Sequence, residues 1–186
     1  ESAGNSNSIA GIYFGILLVM LLYNLFIWAS VRDKTYLYYC FYILALFITQ
    51  LVLQGYAKKL LAPNSIIFNL HSVVFSGSIL GVATIIFARS FLKTKYYLPK
   101  LDKGLQVIVL LCGVSLLTDT FGFFSEGFNI INVVIGIGSL YLFTVSIIVL
   151  KKGYRPALFF VIAFAIFLAG TIIFVLKDYG QIPYNN

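Results

Sequence analysis

Charge is scarce in this chain: only 10% of its 186 residues are Asp, Glu, Lys or Arg. Soluble domains carry roughly a quarter, so polar groups could not cover a water-facing surface here. Histidine occurs once, at His71, and cysteine twice, at Cys40 and Cys112. Those counts leave neither a zinc-site spacing nor a disulfide framework. HExxH, CxxC, GxSxG and P-loop patterns are missing, and with them the usual sequence grounds for hydrolytic, dithiol or nucleotide chemistry. The chain is therefore not expected to be an enzyme, and no catalytic, cofactor-binding or metal-binding residue is assigned.

What the chain has in abundance is apolar length. It is 61% hydrophobic, with a mean hydropathy of +0.99. A membrane-crossing helix needs about 20 apolar residues at 1.5 Å rise each. Long stretches of that kind recur, separated by short charged loops. The expected fold class is all-α, a polytopic transmembrane bundle with six spans near 9–31, 36–55, 66–91, 104–123, 129–150 and 157–176. The fourth is the shortest uncharged stretch, from Gly104 to Thr118, and reaches spanning length by continuing past Asp119 toward Phe123. Residues 1–8 (ESAGNSNS) are small and polar and read as an extracytoplasmic linker from something that precedes them. Both cysteines fall inside apolar stretches and read as buried, inert thiols.

The formal charge of +7 does not point to nucleic acid, because the basic residues sit in short loops and form no continuous stripe. In a membrane protein they report orientation. With six spans, one face collects Arg32, Lys34, Arg89, Lys93, Lys95, Lys100, Lys103, Lys151, Lys152 and Arg155; the other collects Lys58, Lys59 and Lys177. The positive-inside rule then places both ends of the chain outside the cytoplasm. Arg89 is expected to snorkel at the end of its span. Asp33 or Thr35 can cap the second helix, and Tyr36, Tyr38 and Tyr39 fit an interfacial belt. The loop at 92–104 carries lysines with Tyr96 and Tyr97, suited to anionic lipid or to docking a cytosolic domain.

No Asp, Glu, Lys or Arg falls at mid-depth, where ion pumps and proton-coupled carriers usually need one. Polar side chains gather instead in the third of the bundle opposite the basic loops. Gln50, Asn69, His71, Asp119 and Asn132 are the candidates for an outward vestibule that receives a ligand or an extracytoplasmic domain. His71 and Asp119 can pair if the third and fourth spans bring them together. The plainer alternative is that helix ends near water tolerate polar groups. Gly11/Gly15 and Gly77/Gly81 are small-xxx-small pairs, expected to pack inside the bundle or to support a homodimer through lipid.

A pattern runs through the first two spans: Gly11, Gly15, Met20, Tyr23-Asn24, then Arg32-Asp33 and Tyr36-Leu37-Tyr38-Tyr39, ending at Gly55. It continues with Ala88-Arg89-Ser90-Phe91-Leu92 and returns at Gly170 and Gly180-Gln181-Ile182-Pro183. This resembles the membrane region of the bacterial seven-transmembrane receptors with diverse intracellular signalling modules. The resemblance implies a sensor in the bacterial inner membrane. It implies an extracytoplasmic domain before the helices and, after them, a cytoplasmic kinase, cyclase or phosphatase module. It also implies a seventh span beyond Asn186. Tyr23, Asn24, Arg32, Asp33 and Tyr36 carry the likeness; no ligand residue comes with it. The rival readings are a fragment of a multipass transporter or channel, and a multipass lipid-modifying enzyme. The latter would show a convergent polar cluster at the membrane surface. The lipid bilayer is the one partner that composition alone requires.

Overall fold

The computed structural model describes residues 2–61 and 66–166, with side chains from residue 10 onward except 58, 60–61 and 66–70. The elements are α1 (Ser2–Val31), α2 (Lys34–Leu53), α3 (Tyr56–Leu61), α4 (Ile66–Phe91), α5 (Thr94–Tyr97), α6 (Pro99–Thr120), α7 (Phe124–Lys151) and α8 (Ala157–Ile166). No strand occurs among the described residues. Helices α1, α2, α4, α6 and α7 are each long and apolar enough to cross a membrane. The expected sixth span is described only as α8; its remainder, with Lys177, lies outside the described residues. The fold is an all-α helical bundle.

Two boundaries depart from expectation. Helix α1 begins at Ser2, so the polar stretch expected as a linker continues the helix; its apolar, span-length part starts at Ala10. The fourth span is displaced toward the N-terminus. It starts at Pro99 and stops at Thr120 instead of running from 104 to 123. Proline occupies the first turn, where its missing N–H is no loss. Lys100, Asp102 and Lys103 therefore belong to the helix and not to a loop. At the other end, Gly122 turns left-handed at φ +90°, a conformation with no Cβ penalty for glycine. The N–H of Phe123 then closes onto Thr118 O at 3.0 Å, ending the helix.

Helix α4 is central and packs against α2, α6 and α7, while α1 packs against α2. Ile85, Ala88, Leu105, Leu142, Val145 and Val149 form one buried cluster. Val74, Cys112, Ile131 and Val134 form a second toward the opposite end. Around them, large apolar side chains face outward: Val19 and Phe26 on α1, Leu110 on α6, Ile137 on α7, Phe159 on α8. A soluble domain rarely exposes so much contiguous apolar surface; in lipid it is solvated. The fold is therefore that of a multi-pass membrane protein. Lipid is as apolar as leucine, so close packing and interhelical hydrogen bonds must hold these helices together.

The glycine pairs divide. A Cβ at Gly81 would lie 3.1 Å from Cys112 Sγ, so this glycine lets α4 approach α6. A Cβ on Gly11 or Gly15 would meet nothing within 4 Å, so that pair does not pack inside the bundle. Both cysteines are buried and free.

Candidate functional site

Helices α4 and α6 run antiparallel and are joined by an ion pair near each end. From His71 to Arg89 along α4 is about 27 Å at 1.5 Å per residue, close to the roughly 30 Å hydrocarbon thickness. The two pairs thus sit about one bilayer core apart.

At the end away from the basic loops, His71 Nδ1 lies 2.9 Å from Asp119 Oδ1. Asp119 is buried, whereas the His71 side chain is 40% exposed. The imidazole stands edge-on to Phe124 at 5.9 Å. Asp119 is held by the tight return into α7. A Cβ on Gly127 would fall 3.1 Å from Ser115 O and 3.2 Å from the Asp119 nitrogen. Ser115 Oγ donates to Gly127 O at 2.8 Å. Glycine is thus what lets the start of α7 press against the end of α6.

The other candidates from this region do not join the pair. Gln50 is half-buried near the end of α2 and forms no side-chain hydrogen bond with His71 or Asp119 among the described residues. Asn132 is exposed and donates to Phe128 O on its own helix at 3.0 Å. The side chain of Asn69 lies outside the described ones.

The basic end holds a cluster that the loop reading of 92–104 missed. Arg89 Nε donates to Asp102 Oδ1 at 2.8 Å, and Arg89 Nη2 to Oδ2 at 2.7 Å. Thr94 Oγ1 donates to Oδ1 at 2.6 Å, and Gln106 Nε2 to Oδ2 at 3.1 Å. A carboxylate has about four acceptor positions, and here all are used. Asp102 is 3% exposed and Thr94 is fully buried. Arg89 does not simply snorkel to water; its guanidinium closes on a buried anion in the planar, bidentate geometry that arginine favours. Pro99 followed by Asp102 and Gln106 at helical spacing was the available signal.

The same end gathers the remaining basic loops. Thr35 Oγ1 and Ser90 Oγ are 3.0 Å apart, joining α2 to α4. Lys152 Nζ donates to Tyr97 O at 2.7 Å, and Tyr141 Oη donates to Leu101 O at 2.9 Å. Loops separated by whole spans thus meet on one face, as expected if the fourth span is counted. Asp33 caps α2 by accepting from Thr35 N at 2.8 Å; that backbone N–H holds its carboxyl below the usual carboxylate range.

Among the family-like residues, Asn24, Asp33 and Tyr36 line a cavity of about 910 Å³ between the helices. Asn24 also donates to Met20 O at 2.8 Å. Tyr23 is exposed. Arg32 ends α1 in the left-handed region at φ 60°, its N–H bonded to Trp28 O at 2.8 Å.

In comparisons with known proteins, a family model described as 7TM diverse intracellular signalling matches residues 6–186. No curated protein and no solved structure matches.

Proposed function

This chain belongs to the 7TM diverse intracellular signalling family, membrane receptor regions linked to intracellular signalling, and from that premise we propose that it carries a signal from its His71–Asp119 end to its basic end. The reading takes the basic end as cytoplasmic, by the positive-inside rule. It places the bundle in a bacterial inner membrane with both ends of this chain outside the cytoplasm. An extracytoplasmic sensor domain supplies the input and a cytoplasmic module of the same protein reads the output.

One observation carries the reading: the two ion pairs join the same two helices but differ in exposure and in the number of hydrogen bonds that hold the carboxylate. Leaving one partner of a buried pair uncompensated costs about 3–5 kcal/mol. The His71–Asp119 pair is open to water on its histidine side only, which places it between that case and a fully exposed pair, worth about 0–1 kcal/mol. Turning a two-state equilibrium from 1:99 to 99:1 takes about 5.5 kcal/mol. The His71–Asp119 contact is too weak to switch the bundle alone, yet weak enough for an incoming domain or ligand to displace. The Arg89–Asp102 cluster is strong enough to keep α4, α5 and α6 together while the other end moves. We assign the motion to the seam of α2 against α4, which is closely packed but crossed by neutral polar contacts with no ion pair among the described residues: Thr35 with Ser90, and Thr49 Oγ1 donating to Ser76 O at 3.1 Å. Displacement along that seam is the output.

The test uses the full-length receptor with a known stimulus and a cytosolic readout. Asp119→Asn and His71→Gln should blunt the response at unchanged membrane abundance. Normal signalling by both variants would place the input elsewhere.

A further inference from the structure

We propose that the interhelical cavity is a phospholipid site, holding one acyl chain with the headgroup phosphate at Lys93. The cavity, of about 910 Å³, falls at the upper end of the range for ligand pockets, and a mainly apolar wall with a few convergent polar groups is their usual composition. Its polarity is graded. At the basic end the wall includes Asp33, Thr35, Ser90 and Lys93; deeper in, it is Leu46, Leu80, Cys112 and Val134. Between them lies an aromatic sleeve of Tyr39, Tyr42, Phe87 and Phe160, in which Tyr42 and Phe87 stack at 5.7 Å.

Depth selects the occupant. From Ser90 to Leu80 is about 15 Å along α4, half of a roughly 30 Å hydrocarbon core and so the thickness of one leaflet's acyl layer. Water is a poor filler, because each molecule needs two to four polar partners: the deep wall is mostly aliphatic with a thiol, and the Thr84 and Ser139 hydroxyls that also line the cavity already donate to carbonyls of their own helices. An acyl chain meets that wall as it meets the rest of the bilayer.

The mouth holds one carboxylate, Asp33, whose charge Lys93 partly offsets, so a phosphate there depends on the cations outnumbering it. Lys93 is exposed and held in the left-handed region at φ 50°, with its ammonium 5.7 Å from the centre of the Tyr154 ring, which also lines the cavity. In the Thr35–Ser90 pair one hydroxyl donates to the other, leaving the acceptor's own hydrogen to offer to a ligand. The surrounding basic residues, Lys34, Lys95 and Lys152 among them, add a positive field worth about 1 kcal/mol per residue toward anionic headgroups.

The experiment places the full-length receptor in nanodiscs containing a phosphatidylglycerol with a diazirine near the end of one acyl chain, and maps the photo-adducts. Adducts are expected on the stretches bearing Leu80, Cys112 and Val134. Thr84→Trp, which puts bulk into the cavity, should abolish them while adducts at outward-facing Leu110 and Ile137 persist. Lys93→Glu, a surface change, should weaken cavity labelling about tenfold, equivalent to about 1.4 kcal/mol. Adducts confined to Leu110, Ile137 and other outward positions would overturn the proposal, since protein or water would then fill the space. Equal cavity labelling by a phosphate-free diacylglycerol, indifferent to Lys93→Glu, would overturn the phosphate site.

Discussion

The two ends of the α4–α6 pair solve the same problem, an acidic side chain facing a basic one in a membrane helix, in opposite ways. At the basic end Asp102 is sealed in, and every acceptor position is filled by Arg89, Thr94 and Gln106. At the other end Asp119 is nearly as buried but meets a half-exposed histidine through one contact. Burial alone does not make an ion pair strong; geometry and the number of satisfied lone pairs do. The difference leaves one end suited to holding and the other to yielding.

The largest break in that comparison should come from Asp102→Ala. It strands the Arg89 guanidinium and should cost about 3–5 kcal/mol, read as a lowered melting temperature in detergent and reduced membrane abundance. Replacing both partners, Arg89→Met with Asp102→Leu, should recover much of the loss, because no buried charge is then unpaired. A double variant no more stable than Asp102→Ala would mean the cluster does more than neutralise charge.

Thr94→Val tests the next layer. It removes a donor to a charged acceptor, a loss of about 1.5–3 kcal/mol, and should lower the melting temperature less than Asp102→Ala. Asp33 is the exposed control at the same face. Asp33→Ala removes a helix cap, typically about 1 kcal/mol. Because the folded carboxyl is lowered by the Thr35 N–H, the cap's contribution is complete above the ordinary carboxylate pKa and is lost as pH falls through the folded one. A melting temperature for Asp33→Ala that rejoined wild type only at neutral pH would contradict this sign. The smallest stability change should come from Asp119→Asn, because the amide keeps the shape and the half-exposed His71 it leaves stays solvated, even though it is the variant expected to blunt signalling.

Much of the architecture was legible because lipid imposes a simple rule: uncharged stretches of spanning length must be helices. The same rule misplaced the fourth span. Lys100, Asp102 and Lys103 read as loop when charge is assumed to mean water, and only the Arg89 partnership makes Asp102 compatible with a helix. Asn132 shows a second limit. It neighbours buried Ile131, while Val134, Gly138, Leu142, Val145 and Val149 continue the inward face. With lipid outside, both faces of α7 are apolar, so hydropathy does not reveal which way a polar residue points. The His71–Asp119 pairing was legible as a possibility because unpaired ionisable groups in a membrane need partners. The Gly11/Gly15 and Gly77/Gly81 pairs look alike in sequence and differ only in what faces them.

The most direct measurement is of two distances in one molecule. Spin labels at outward-facing Phe75 and Leu117 report the His71–Asp119 end of α4 and α6, and labels at Ile86 and Val107 report the Arg89–Asp102 end. In the full-length receptor, with Cys40 and Cys112 replaced, stimulus should shift the first distance distribution and leave the second unchanged. A stimulus that opens the Arg89–Asp102 end while the His71–Asp119 end keeps its separation would contradict a fixed basic end and a yielding opposite one.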